Sequence, residues 1–389
     1  MMLSKNTLPL IIISQFFCTS LWFAGNGVSN DIITNFQLNT DTLSYLTSSV
    51  QLGFILGTLL FAFLSITDRF SPSKIFFLSA LLGGLFNLGI LIESNTFFSL
   101  ILFRFLTGFC LAGIYPVGMK IAADYFDKGL GKSLGWLVGA LVLGTSFPHF
   151  LKLISANYSW EYVIITTSIL ASIGGFLILR FVPNGPFYKV NTAPNFKDVF
   201  KIFKNSTFTQ AAIGYFGHMW ELYAFWTFTP IILTNYNKMN PEIDISIPLY
   251  SFIVIGSGSV SCVISGYVSE YVGIRKTATY FLIASLLCCL ISPFMFRSNL
   301  FVFISFLIFW GLTVIADSPL FSTLIAKNTK PQTKGTALTI VNCIGFAITI
   351  ISIQILSYLQ SITESNYIFL ILGIGPMIGI LSLLKKETA

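Results

Sequence analysis

The chain has 389 residues, of which 54% are hydrophobic and only 10% are charged. An ordinary soluble domain carries about 25% charged residues, so this composition excludes a soluble enzyme, a nucleic-acid-binding module and a disordered protein. The formal net charge of +7 has to be interpreted by position, because basic residues in such a chain also mark one side of a membrane.

Long apolar segments follow one another with short polar connections. A segment of about 20 apolar residues crosses the hydrocarbon core of a bilayer as a helix. The sequence therefore predicts an all-α membrane protein with 12 transmembrane helices, in two pseudo-symmetric bundles of six. In chain order, the predicted helices cover 8–30, 44–64, 75–92, 97–123, 133–155, 161–182, 207–235, 247–269, 277–296, 299–325, 335–358 and 365–384.

The basic residues are strongly divided between the two sides that this topology defines. Of the 22 Lys and Arg residues, 18 fall on the side of the N-terminus, three fall on the opposite side and Arg104 lies within a helix. Loops rich in Lys and Arg face the cytoplasm. The sequence thus predicts a multi-pass membrane protein with both termini cytoplasmic. The six cysteines lie in apolar stretches and are interpreted as buried, reduced side chains.

A polar stretch at 183–206 divides the predicted helices into two sets of six. We expect an N-terminal bundle over 1–182, a cytoplasmic linker over 183–206 and a C-terminal bundle over 207–389.

The two halves also share a spacing. Gly108 and Pro116 of the fourth helix recur as Gly311 and Pro319 of the tenth, both at an offset of 203 residues. Parallel repeats of six helices are typical of transporters with a cavity between the halves.

Ionisable residues at membrane depth are the first candidates for chemistry, because a charge in hydrocarbon is costly. Glu221 lies near the middle of the seventh helix and His218 precedes it by one turn, on the same face. A carboxyl group in a low-dielectric cavity can exchange a proton in the working pH range, as can histidine. We expect proton coupling by Glu221, His218 and Asp317. The alternatives are a structural pairing of Glu221 with a cation or a tyrosine, and a structural helix-to-loop contact for Asp317.

A second set of residues is expected to contact a ligand. Aromatic and polar side chains cluster on helices one, four and seven, where several share a face with Glu221 or with one another. Helix packing and an interfacial aromatic belt are the alternatives. The predicted substrate-binding residues are Trp22, Asn26, Tyr115, Glu221 and Trp226.

Two loops carry a related motif. Residues 64–74 read LSITDRFSPSK, and residues 266–276 read GYVSEYVGIRK. Together with Arg104 and Gly108, and with the segments 20–28 and 217–226, these motifs resemble the major facilitator superfamily, in particular a branch of bacterial members. The resemblance implies a conformational gate at the cytoplasmic ends of the helices, formed by Asp68, Arg69, Lys74, Glu270, Arg275 and Lys276. It also implies a location in the bacterial inner membrane. For Arg104 it implies either proton coupling or a structural role in holding the early helices together.

The resemblance implies a secondary active transporter, proton-coupled and working by alternating access, for a small polar or amphiphilic metabolite or drug. No catalytic residue, metal site or cofactor is expected, and the chain is predicted to act as a monomer in the lipid bilayer. Symport and antiport remain alternatives at this stage. A non-transporting membrane sensor on the same fold and a polytopic membrane enzyme are the other function classes.

Overall fold

A computed structural model describes residues 7–125, 130–187, 202–329 and 333–385, with the side chains of Asp68 and residues 130–132 also outside the description. The chain forms two compact units, Met1–Ala193 and Pro194–Ala389. Most of the predicted linker, 188–201, lies outside the described residues.

The N-terminal unit consists of helices. Its most extensive helix–helix contact is between α4 and α7, and α10 packs against both α1 and α6. The helices are α1 Thr7–Thr19, α2 Ala24–Gly27, α3 Ser29–Asn35, α4 Thr42–Phe63, α5 Ile66–Arg69, α6 Pro72–Leu88, α7 Phe97–Leu111, α8 Tyr115–Tyr125, α9 Leu130–Ile154 and α10 Glu161–Phe181, and the 3-10 turn Gly89–Leu91 follows α6.

The C-terminal unit is also helical throughout its described part. In it α11 packs against α16 and α17, and α12 packs along α14. The helices are α11 Ser206–Met239, α12 Ile247–Val272, α13 Ile274–Met295, α14 Leu300–Ile315, α15 Ser318–Lys327, α16 Lys334–Ile362 and α17 Ile374–Leu383, with the 3-10 helix Asn366–Gly373 before α17.

Ten helical segments among the described residues are long and apolar enough to cross a membrane. The shorter apolar helix α1 and the 34-residue helix α11 account for the two other predicted spans. The all-helical membrane fold predicted from the sequence is confirmed.

The first predicted span is not the single helix expected over 8–30. It is interrupted after Thr19, and residues 20–23 form turns before α2 begins. The interrupted backbone leaves carbonyl groups that need donors. Arg104 of α7 supplies two such donors, which form hydrogen bonds to the carbonyl oxygens of Leu21 and Trp22. The partner lies about eighty residues away in sequence, so helical periodicity alone could not indicate this break.

The fourth and tenth predicted spans are each interrupted just before their proline. The fourth breaks at 112–114, ahead of Pro116, and the tenth breaks at 316–317, ahead of Pro319. Proline lacks the backbone N–H that would continue the preceding turn. Each unit therefore has one long span with a break just ahead of a proline. The two prolines, Pro116 and Pro319, are the ones that the sequence repeat matches.

Two glycines at equivalent positions of the repeat make close helix contacts, one in each unit. A Cβ atom at Gly108 of α7 would overlap the carbonyl oxygen of Val50 on α4. A Cβ at Gly311 of α14 would overlap the carbonyl oxygen of Val254 on α12 in the same way. In membrane helices, small residues permit this backbone approach. The repeat is thus visible as equivalent packing inside each unit.

We expect Gly108→Ala and Gly311→Ala each to lower the free energy of unfolding by about 1–3 kcal/mol, because the new methyl group meets rigid backbone. Gly266→Ala is the matched control, since a Cβ there has no atom within 4 Å. Unfolding of the purified variants in mixed micelles measures the effect. Equal stability of Gly311→Ala and Gly266→Ala would contradict the close-packing assignment.

Candidate functional site

Glu221, in the middle of α11, is an acidic side chain of the C-terminal unit with several hydrogen-bond donors around it. Its side chain is buried, with 1% of its surface exposed. Its Oε1 atom accepts hydrogen bonds from the Ser285 hydroxyl at 2.5 Å, the Trp310 indole N–H at 2.6 Å and the Cys289 thiol at 3.2 Å. Three donors on one oxygen hold the carboxyl group in a fixed orientation.

The donors are arranged by two neighbouring helices. Ser285 and Cys289 are four residues apart on α13, so both face α11 from adjacent turns of one stripe. Trp310 comes from α14, where the ring of Phe225 packs against it at a centroid distance of 4.5 Å. Phe225 is one turn beyond Glu221 on α11. The indole N–H is therefore positioned by packing as well as by its hydrogen bond.

A second polar pair lies beside this carboxylate. Nδ1 of His218 lies 2.8 Å from Oδ1 of Asp317, and both side chains are buried. Neither atom has an aligned hydrogen bond to another described residue, so the contact is a close approach rather than a directed hydrogen bond. Asp317 also lies close enough to Glu221 for the two carboxyl groups to influence each other electrostatically. The structure thus brings together His218, Glu221 and Asp317, three of the four residues predicted for proton coupling.

Asp317 occupies an unusual position for this pairing. It is the residue before α15, where an aspartate commonly caps the helix through its side chain. Its carboxyl group makes no capping hydrogen bond to α15 within the described chain. The helix break at 316–317 places Asp317 beside α11, and its side chain meets His218 instead.

The fourth residue of that prediction, Arg104, lies in the N-terminal unit and is fully buried. Its NH1 atom donates to the carbonyl oxygen of Leu21 at 3.1 Å and to Oδ1 of Asn87 at 3.2 Å. Its NH2 atom donates to the carbonyl oxygen of Trp22 at 2.5 Å. These contacts support the structural alternative, in which the guanidinium stabilises the break in the first span.

The remaining predicted ligand residues are spread over both units. Trp22 is fully buried, with its ring 4.9 Å from that of Phe54. Asn26 of α2 donates to the Thr47 hydroxyl at 2.8 Å. Tyr115 begins α8 and is half-buried. Trp226 of α11 is fully buried, so α11 carries it together with Glu221.

The predicted gate residues differ in their surroundings. Their exposed members are Arg69, Lys74, Glu270 and Lys276. The Asp68 side chain is outside the described residues. Next to Asp68, the carbonyl oxygen of Thr67 accepts a hydrogen bond from Lys120 at 2.7 Å.

Arg275 is the most extensively bonded member of the gate set. It donates to the carbonyl oxygens of Leu383 and Lys385 and to the side chain of Gln210. A cation is favourable at a helix C-terminus such as the end of α17. The hydrogen bonds of Arg275 also join this end to the starts of α11 and α13. Within the C-terminal unit, Arg275 therefore links three helices.

The sequence profile of the Major Facilitator Superfamily matches residues 10–353, which include the buried clusters of both units. The chain belongs to the major facilitator superfamily. The resemblance carried by the loop motifs is thus confirmed. No curated protein matches the chain with significance.

As a member of the major facilitator superfamily, the protein is a multi-pass integral membrane transporter, and its substrate is a small molecule. Members of this superfamily are generally transporters rather than enzymes. For a transporter, a buried carboxylate beside a histidine is a suitable place to bind and release a proton. That role of the cluster remains a prediction.

Sequence reasoning missed the residues that surround the predicted ones. Ser285, Cys289 and Trp310 were not identified as partners of Glu221, and Asn87 was not identified as a partner of Arg104. A weak signal exists for the first two, since they are small polar side chains four residues apart within an apolar helix. Trp310 adjoins Gly311, the close-packing glycine of α14, but this neighbour does not indicate a carboxylate partner.

Proposed function

We propose that this member of the superfamily is a proton-coupled secondary transporter that moves a small polar or amphiphilic metabolite or drug across the bacterial inner membrane by alternating access. The observation that carries the proposal is the buried cluster of Glu221, His218 and Asp317 in the C-terminal unit. In this proposal the chain works as a monomer with both termini in the cytoplasm, as the division of Lys and Arg residues predicts.

Glu221 has the chemistry that reversible proton binding requires. All the hydrogen bonds that described side chains make to its carboxyl group end on Oε1. These donors favour the ionised form, whereas burial opposes an uncompensated charge. Because the two influences oppose each other, both protonation states are accessible. We assign the transported proton to Oε2, to which no side chain in the described part of the chain donates.

In this proposal His218 exchanges the proton with Glu221, from which it is separated by one helical turn. It lies three residues before Glu221 on the same face of α11, and it contacts Asp317. The three groups are electrically neutral when Glu221 holds one proton and the His218–Asp317 pair shares another. Release of one proton leaves a negative charge in a medium of low dielectric constant. Proton release is therefore tied to a change that brings water or a compensating group to the cluster.

Proteoliposomes with an entrapped pH dye test this proposal. Candidate neutral, anionic and cationic metabolites are added outside without an imposed pH gradient. We expect at least one compound to drive protons across the membrane, with acidification of the lumen in symport and alkalinisation in antiport. Protein-free liposomes are the control. Uptake of a compound without any accompanying pH change would contradict proton coupling.

A further inference from the structure

Gln51 of α4 is a fully buried amide in the N-terminal unit that the proposed mechanism does not use. Neither its Oε1 nor its Nε2 atom has a hydrogen-bond partner among the described residues. An amide offers both donors and an acceptor, and such groups are nearly always satisfied when they are buried. A side chain with this unused capacity needs a physical explanation.

The position of Gln51 on α4 indicates why its amide has no protein partner. Thr47, Gln51 and Phe54 have the i, i+4, i+7 spacing of residues on one face of α4. The Thr47 hydroxyl accepts the hydrogen bond of Asn26, and the ring of Phe54 lies against Trp22. Gln51 is therefore between two contacts that α4 makes with the interrupted first span. Trp22 and Asn26 are the two residues of that span predicted to contact substrate.

A second buried polar group borders the same segment from the other side. Gly27 of α2 packs against Pro148 of α9, and the next residue, His149, is also buried. Its Nε2 atom has no hydrogen-bond partner within the described part of the chain. Unused polar atoms thus adjoin residues 20–27 on two neighbouring helices, whereas the apolar positions around them are closely packed.

The hydrogen-bonding capacity of Gln51 indicates an uncharged polar ligand group. The buried cation of this region, Arg104, has both terminal nitrogens engaged by Leu21, Trp22 and Asn87, while its Nε atom has no hydrogen-bond partner among the described residues. Gly25 packs against the same guanidinium group, at the distance of ordinary van der Waals contact for a Cβ. The amide of Gln51 suits a group that both donates and accepts hydrogen bonds.

We propose that Gln51 is a substrate-binding residue and that it forms, with Trp22 and Asn26, a subsite for an uncharged polar group such as a primary amide or a pair of hydroxyls. This inference rests on the proposed transport function and names the ligand chemistry of its N-terminal half. The two units then have separate tasks: the C-terminal unit holds the proton and the N-terminal unit holds the polar group of the substrate.

Stability of the ligand-free protein gives the first test. Gln51→Leu replaces an unpaired buried amide with an apolar side chain of similar size, so we expect the apparent unfolding temperature to rise. Asn87→Leu is the matched control, because the Asn87 amide is equally buried but bonds to Ile164, Thr167 and Ser168. This control is expected to unfold at a lower temperature. A lower unfolding temperature for Gln51→Leu would overturn the proposal, since it would give the amide a structural role.

Binding gives the second test, by thermal stabilisation with defined probes. The neutral probes are glucose, xylitol, a nucleoside and nicotinamide, and the charged ones are succinate and choline. We expect a neutral probe to stabilise the wild-type protein and to bind at least tenfold more weakly to Gln51→Leu. Stabilisation by charged probes alone, by no probe, or equally in Gln51→Leu would overturn the proposal.

Glu221→Gln separates this inference from the proposed function. We expect this variant to lose proton movement and Gln51→Leu to lose binding of the neutral probe. If Gln51→Leu binds normally while Glu221→Gln loses proton movement, the inference fails and the proposed function stands. If Glu221→Gln still moves protons while Gln51→Leu does not bind, the coupling assignment fails and the subsite stands.

Discussion

Glu221→Gln is expected to reduce substrate-driven proton movement in proteoliposomes to the background of protein-free vesicles. The amide has the shape of the protonated acid and can still accept hydrogen bonds from Ser285 and Trp310. It cannot release a proton, so the protein remains folded but a transport cycle no longer carries one. The entrapped pH dye measures the effect, and the apparent unfolding temperature shows that folding is intact.

Ser285→Ala is the control for this prediction. It removes one donor from Oε1 but keeps the carboxyl group, and we expect proton movement to persist with a changed pH dependence. If Glu221→Gln moves protons as fast as the wild-type protein, the proton does not travel through this residue. His218 and Asp317 would then have to carry it without Glu221.

Arg104→Met is expected to lower the free energy of unfolding by about 3 kcal/mol or more, since buried groups lose charged donors. The groups left unpaired are the carbonyl oxygens of Leu21 and Trp22 and the amide oxygen of Asn87. Arg104→Lys keeps the charge but lacks the planar fork that reaches several acceptors, so its stability should be intermediate. Unfolding in mixed micelles measures both variants.

The same variants distinguish the two roles considered for this arginine. In the structural role, stability falls and the protein that does fold still moves protons. In a coupling role, Arg104→Met would keep its stability and lose proton movement. The latter result would contradict our interpretation of the contacts around the break in the first span.

The fold was predictable wherever local signals dominate. Uninterrupted apolar segments such as Thr42–Phe63 and Glu161–Phe181 became single helices, because hydrocarbon leaves the backbone no other hydrogen-bond partners. The breaks before Pro116 and Pro319 agree with the chemistry of proline. Pro148, Pro230 and Pro293 lie inside continuous helices, so a proline alone does not determine a break. Glu221 and His218 could be selected because ionisable groups are conspicuous at membrane depth.

The rest could not be predicted because it depends on long-range partners. The break after Thr19 contains no proline and is stabilised by Arg104, on a different helix. The three donors to Glu221 come from two helices far along the chain, and serine, cysteine and tryptophan are unremarkable in apolar segments. Gln51 became notable only once the structure showed that its amide lacks a protein partner.

The central claim, that Glu221 binds and releases a proton inside the C-terminal unit, is tested most directly by pH-difference infrared spectroscopy of the protein in lipid vesicles. We predict that acidification produces the carbonyl-stretching band of a protonated carboxyl group, that Glu221→Gln lacks this band, and that Ser285→Ala shifts it because one hydrogen bond to the group is lost. The same band at equal intensity in the wild-type protein and in Glu221→Gln would contradict the account.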